Sequence, residues 1–265
     1  MDSLKVIDLF AGAGGLSQGF RDAGFDIISA VEINKNLSQT YKENFPKTKI
    51  FEEDIIKIKS KSLLSKHSSV DVIIGGPPCQ GFSMSGKRIR NNGIFLNDKR
   101  NVLFKEFVRI IKELKPKVFI MENVPGILNI FEGKTKNQIL SIFKSIGYET
   151  KVKVLLAADY GVPQIRKRAF FIGNNLGIDP DFFFPPIDNK DYVTVKDAIF
   201  DLPFIESGEG EFKSLYKKKP LTEYQKVMRK NSNFLYNHIS TKHDDKVISI
   251  IKMLKEGEGR NSLPA

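Results

Sequence analysis

The sequence predicts an α/β fold, a doubly wound and mostly parallel sheet with helices on both faces. Three observations predict it. Short apolar runs alternate with amphipathic stretches through the first half of the chain, which is the βαβαβ order that a parallel sheet with crossover helices requires. Glycine- and proline-rich turns directly follow several of the apolar runs, so those strands end in sharp corners. The 265 residues, 41% of them hydrophobic, suffice for one large domain of this kind, alone or with a small appendage.

The elements follow in order. LKVIDLF (4–10) reads as a buried first strand, and LSQGFRDAG (16–24) as a helix stopped by Gly24. DIISAVEI (26–33) is a second strand, and KNLSQTYKENF (35–45) a helix ended by Pro46. A short strand at KIF (49–51) and a helical stretch at 60–66 lead to VDVIIGG (70–76), a strand running straight into PPCQ. NVLFKEFVRIIKELKP (101–116) has helical spacing, KVFIMENV (117–124) is another buried strand, and KNQILSIFKSIGY (136–148) another helix. After residue 175 the pattern breaks up. DPDFFFPP (179–186) reads as a loop, VTVKDAIFDLP (193–203) as a short helix and turn, and KSLYKKKPLTEYQKVMRK (213–230) is densely basic with interleaved tyrosines.

Composition narrows the function classes. The formal net charge is +11, from 42 Lys+Arg against 31 Asp+Glu, which suits a polyanionic partner but also a lysine-rich background. A single cysteine excludes an internal disulfide and a cysteine-based zinc cluster, and no metal site is expected. The start MDSLKVIDLF lacks the features of a secretion signal, and no run reaches the roughly 18 apolar residues of a membrane span. A reducing cytoplasm is the expected setting.

Ligands of open α/β sheets sit at the carboxyl ends of the strands. The turn GAGG, Glu32, Asp54, Cys79 and Glu122 all fall at or just past such ends, so they are expected to converge on one crevice. Gly12, Gly14 and Gly15 allow a tight turn and close approach of a ligand. Their GxGG spacing is not the GxGxxG of a dinucleotide pyrophosphate site. Glu32, ending the second strand, suits ribose hydroxyls. Cys79 is either a small buried hydrophobe or an exposed reagent, and its place on a turn-rich loop at the ligand edge favours the reagent. Gln164, Arg166 and Arg168 alternate on one face of an extended segment that opens the run AFFIG. Two guanidiniums there call for an anion or polarised oxygen, unless the face is simply solvated.

DLFAGAGG, Glu32, Asp54, GGPPCQGFS, MENV and QIRKR, in this order, resemble the motif series of the DNA (cytosine-5) methyltransferases. The likeness covers residues 4–174 and continues more faintly through NHISTKH (237–243). It implies the Rossmann-like fold of S-adenosylmethionine-dependent methyltransferases, with S-adenosylmethionine as cofactor and S-adenosylhomocysteine as product. Phe10 with Gly12, Gly14 and Gly15 would hold the methionine portion, Glu32 the ribose and Asp54 the adenine amino group. Ile33 and Ile55 would pack on the adenine faces, and Pro78 and Leu103 would complete the pocket. The resemblance implies Cys79 as nucleophile on carbon 6 of a flipped-out cytosine in double-stranded DNA, and Glu122 as the acid on ring nitrogen 3. It also implies Arg168, supported by Arg166, on the base oxygen and the carboxylate. Gln80, Ser83, Ser85, Lys87, Arg88 and Arg90 on the loop 80–100, together with Gln164, would meet DNA.

The implied setting is a bacterial restriction-modification system, with the protein at the nucleoid through its DNA. The implied organisation is a catalytic and cofactor-binding domain over 1–178 and a basic extension over 179–265, leading toward a target-recognition region that is absent or incomplete. Neither the RxTxRE-like nor the final Gly-Asn motif of the family is found. A second polypeptide supplying the remainder or a shortened chain is expected, ahead of a degenerate relative. The alternatives are a tRNA cytosine-5 methyltransferase, a non-catalytic DNA-binding subunit with the same fold, and, at a distance, a nicotinamide-dependent oxidoreductase.

Overall fold

The structure is a computed structural model that describes residues 3–78, 101–130, 132–187, 191–230, 232–255 and 257–263. The chain divides into two compact units, Met1–Tyr160 with Ile165–Asp188, and Gly161–Gln164 with Asn189–Ala265.

The first unit is built on a seven-stranded sheet: β1 (Lys5–Leu9), β2 (Asp26–Val31), β3 (Lys49–Phe51), β4 (Val72–Gly75), β5 (Val118–Asn123), β6 (Glu149–Leu156) and β7 (Lys167–Asn174). Its order is β3-β2-β1-β4-β5-β7-β6. β1 to β5 are mutually parallel, and β7 is inserted antiparallel between β5 and β6. The helices α1 (Gly15–Asp22), α2 (Lys35–Asn44), α3 (Val102–Leu114) and α4 (Lys134–Ser145) belong to the same unit. Strand order reverses between β1 and β4, which makes a switch-point crevice beyond their carboxyl ends.

The central strands form because both of their faces are buried and their residues are β-branched or aliphatic. Ile7, Leu9 and Ile73 face a core with Phe107, Phe119, Phe143 and Phe171, where Phe119 stacks on Phe143 with ring centroids 4.1 Å apart. Val6, Ile27, Val72 and Ile74 face the other layer, against Leu16, Phe20 and Phe25. Gly75 is fixed by close approach. A side chain there would collide with the Leu9 carbonyl oxygen and stand 3.1 Å from Phe107.

Two features depart from the periodicity. The stretch 60–66 is not an α-helix but a 3₁₀ turn, Ser60–Leu64. Arg109 of α3 bonds Ser60 Oγ and the carbonyls of Ile55 and Ile58, and these side-chain bonds hold the segment in short turns. β6 was not evident from the sequence. It is an edge strand with two lysines, Lys151 and Lys153, pairing with Asp179 and Asp181. Charged residues protect such an edge and blur its alternation.

The second unit carries α5 (Val195–Ile199), β8 (Gly210–Leu215), α6 (Glu223–Arg229), β9 (Phe234–Ile239) and α7 (Asp245–Lys252). β8 and β9 pair antiparallel. Thr194 and Thr222 open α5 and α6 with capping boxes. Arg229 pairs with the buried Asp201 at 2.5 Å and lies 3.5 Å from the Tyr216 ring centroid. The basic stretch 213–230 is therefore a strand end, a turn and a helix held by one arginine.

Candidate active site

The glycine turn after β1 is shaped by its backbone. Phe10 has φ 61°, Gly12 57° and Gly14 95°. A bulky residue such as Phe10 in the left-handed region is a genuine outlier, of the kind held in place at functional sites. The Gly14 amide donates to the Ala11 carbonyl at 2.9 Å, and Ala11 N to the Val31 carbonyl at 3.0 Å, so the turn is tied to β2. A side chain at Gly14 would collide with Phe45 and meet Tyr41 at 3.0 Å. At Gly12 and Gly15 there is nothing within 4 Å.

Glu32 closes the turn. Its Oε2 accepts from Gly12 N at 2.8 Å and its Oε1 from Asn34 N at 2.7 Å. The Gly12 amide is thus donated to a carboxylate.

Around this turn, Asp54 caps a 3₁₀ turn through Ile56 N at 3.0 Å. Ile33 is 67% exposed, whereas Ile55 is 3% exposed and part of the main core. Leu103 is half-buried against that core, and Pro78 is exposed.

A second cluster sits at the ends of β4 and β5. Arg168 Nε pairs with Glu122 Oε1 at 2.7 Å, and both side chains are about three-quarters buried. Glu122 also faces Gly76, where an added Cβ would lie 3.2 Å from Oε2. Asn123 Nδ2 donates to the Pro77 carbonyl at 3.1 Å. The stem of the PPCQ loop is thus tied to β5 by the Asn123–Pro77 bond, with Gly76 beside the Glu122 carboxylate. Cys79, Gln80, Ser83, Ser85, Lys87, Arg88 and Arg90 lie outside the described residues.

The alternation drawn through Gln164, Arg166 and Arg168 does not hold as one face. β7 begins at Lys167, after a turn in which Gln164 N donates to the Val162 carbonyl. Pro163 and that turn interrupt the extended chain. Of the three, only Arg168 lies in the strand and reaches Glu122. Arg166 and Gln164 are exposed, and the Arg166 carbonyl accepts from Ala157 N.

The sequence reading passed over one group. Asp8, completely buried in β1, lies 2.7 Å from Ser17 Oγ, which lies 2.7 Å from Tyr41 Oη. Burial pushes the Asp8 carboxyl up to about 7, against the hydrogen bonds from Ser17. A carboxylate inside an otherwise apolar strand was the available signal.

The strand order, the switch-point crevice and the glycine turn with its carboxylate define a Rossmann-like methyltransferase fold. A model of the family described as C-5 cytosine-specific DNA methylase matches residues 4–262. The chain belongs to that family. M.DdeI of Desulfomicrobium norvegicum, a type II methyltransferase, is 42% identical over 96% of this chain and 62% of its own length. M1.HphI of Haemophilus parahaemolyticus, also a type II methyltransferase, is 40% identical over 99% and 64%. The chain therefore spans less than two thirds of the length of these relatives. Among solved structures, a prophage-encoded protein of E. coli assigned as a DNA modification methyltransferase has TM-score 0.77 and 33% identity, covering 97% of this chain and 77% of that one. Among the described residues, no helix is long and apolar enough to cross a membrane.

Proposed function

We propose that this chain carries the catalytic half of a type II modification enzyme that methylates carbon 5 of cytosine in double-stranded DNA, using S-adenosylmethionine. The observation that carries the reading is the Glu122–Arg168 pair beside Gly76, with the adjoining Asn123 bonded to Pro77, so that the pair stands next to the residues leading into Cys79. A nucleophile loop beside a carboxylate–guanidinium pair suits addition to an electron-poor ring, with the carboxyl placed to draw charge from it.

The residues fit the cofactor. Gly12 and Gly15 leave open space, Ile33 offers an exposed apolar face, and Glu32 retains lone pairs for ribose hydroxyls. Asp54 Oδ2 is available to an amino group, since Oδ1 makes the cap bond. When bound, the cofactor supplies an electrophilic methyl group on a sulfonium.

The chain's own residues do the rest. Cys79 adds as thiolate to carbon 6 of the flipped base, forming the S–C6 bond. Glu122 delivers a proton or hydrogen bond to ring nitrogen 3, drawing charge from the ring as the thiolate adds. Arg168 orients that carboxyl and reaches the base oxygen. Carbon 5, now an enamine carbon, takes the methyl. Loss of its proton to a base expels the Cys79 thiolate and restores the aromatic ring.

We assign residues 1–178 to catalysis and cofactor binding, and 179–265 to an extension leading into target recognition. Choice of sequence is assigned to the portion that the relatives have beyond the match, on the same polypeptide or a complementing one. The test is trapping on duplex DNA containing 5-fluorocytosine, with and without a co-expressed C-terminal segment from a relative. A covalent adduct that needs S-adenosylmethionine and disappears in Cys79→Ser supports the reading. Methyl transfer to tRNA but not DNA, or binding with no adduct under either condition, would refute it.

A further inference from the structure

The crossover from β3 to β4 carries no α-helix and runs instead through two 3₁₀ turns, Ile55–Lys57 and Ser60–Leu64. Turns this short close too few backbone bonds to offset the cost of ordering their residues, so a tertiary contact must hold them. Arg109 of α3 holds both. Its Nη2 donates to the Ile55 carbonyl at 3.2 Å and to the Ile58 carbonyl at 3.1 Å, and its Nη1 to Ser60 Oγ at 2.9 Å.

The guanidinium is itself held from both sides along its own helix. Nε donates to Glu106 Oε2 at 2.7 Å, and Nη1 also stands 3.5 Å from Glu113 Oε2. These partners engage all three nitrogens of the planar fork, so its direction as well as its charge is set. Ile55 and Ile58 are buried in the main core, but apolar packing is non-directional and leaves the peptide planes free to turn. Bonds to their carbonyls remove that freedom.

The first of these turns carries the carboxylate assigned to the adenine amino group. Asp54 is its N-cap, with Oδ1 accepting from Ile56 N at 3.0 Å, and the Asp54 amide donates to Glu53 Oε1 at 2.8 Å. The carboxylate therefore has no setting independent of the turn. Where the backbone of Ile55–Ile58 goes, Asp54 Oδ2 follows.

We propose that Arg109 is a positioning residue for the choice of nucleobase: by fixing the carbonyls of Ile55 and Ile58 it aims Asp54 Oδ2, so that the site takes a base with an exocyclic amino group and rejects one with an oxygen there. This rests on reading Asp54 as the partner of the adenine amino group. A carboxylate only accepts, so an amino group satisfies it while a ring carbonyl sets lone pairs against lone pairs. That contrast holds only while Oδ2 is kept within hydrogen-bond distance and angle. Arg109 itself touches no ligand and acts through the turn.

Calorimetric titration of the whole chain with S-adenosylhomocysteine and with its deaminated analogue, S-inosylhomocysteine, gives a ratio of Kd values that isolates the amino group. The wild type should favour the adenine ligand roughly ten- to a hundredfold, and Asp54→Ala should bring the ratio close to unity. Arg109→Lys keeps a positive charge between Glu106 and Glu113 but lacks the fork, and should cut the ratio at least roughly fivefold. Ser60→Ala, which removes a single bond from the same fork, should cut it roughly twofold. Circular dichroism at the titration temperature checks that each variant is folded. Equal loss of affinity for both ligands in Arg109→Lys, with the wild-type ratio retained, would show that Arg109 serves stability alone and would overturn the proposal. Should Arg109→Lys not fold, Ser60→Ala decides, and an unchanged ratio there overturns it. A wild type that binds both ligands alike, or neither, would instead overturn the reading of Asp54, and the proposal with it.

Discussion

Alanine at Gly14 and alanine at Gly15 should separate the structural from the ligand-facing half of the same turn. Gly14 has φ 95°, which a side-chain-bearing residue adopts at a cost of about 1–2 kcal/mol. Its new methyl would also collide with Phe45, whose ring stacks on that of the fully buried Tyr41 with centroids 4.6 Å apart. Neither ring can move without opening the packing under α2, which adds about 1–3 kcal/mol. The total, about 2–5 kcal/mol, predicts a fall in melting temperature of roughly 5–15 °C. Gly15, the first residue of α1, has no such φ and nothing within 4 Å of an added Cβ. Gly15→Ala should leave stability within about 1 kcal/mol, helped by alanine's helix preference. The methyl would instead fill the open space assigned to S-adenosylmethionine and weaken its binding roughly tenfold or more. Thermal unfolding by circular dichroism reads the first effect and calorimetric titration the second. A Gly14→Ala protein melting with the wild type would refute the packing argument, and a Gly15→Ala protein with wild-type affinity would remove the turn from the ligand site.

Arg168→Ala should lower methyl transfer at least roughly a hundredfold while leaving S-adenosylmethionine binding intact; single-turnover assays with equilibrium binding separate the two, and an equal loss in both would place Arg168 in folding. Arg229→Ala should cost the second unit about 3–5 kcal/mol, because Asp201 is left as a buried, unpaired charge; Asp201→Asn in the same background should recover part of it in denaturant titrations. Asp8 keeps its proton to about pH 7 when folded but only to its ordinary 3.8 when unfolded. The folded state therefore holds the extra proton between these values, and stability falls as pH rises through that window, by about 4 kcal/mol in all. Asp8→Asn should flatten that slope, as melting curves from about pH 5 to about pH 8 will report; an unchanged slope would mean that Asp8 is not the titrating group.

Much of the fold was legible in the chain because each central strand is a short aliphatic run closed by a turn. β1 through β5 and the four flanking helices follow from periods of 2 and 3.6 and from Gly24, Pro46 and the Pro-Pro corner. The motifs at strand ends placed Glu32 and Glu122 at the carboxyl edge of the sheet, where β2 and β5 end. β6 escaped because edge lysines replace part of its alternation, and the hairpin of β8 and β9 because its exposed face carries no clear apolar pattern. The 3₁₀ turn Ser60–Leu64 is held by an arginine 49 residues from Ser60, a contact no local period encodes.

The sequence alone determined the layered α/β class, the strand-end motifs and the family they resemble, because residue type and spacing dictate local backbone and its punctuation. Only the tertiary structure decided which groups meet: that Arg168 and not Arg166 reaches Glu122, that Glu32 occupies the Gly12 amide, and that Asp8 is sealed beneath the turn with one oxygen unpaired. Strand order and layer packing bring these atoms within hydrogen-bond range across tens of residues. Desolvation and charge are properties of that assembled neighbourhood, not of any one segment of chain.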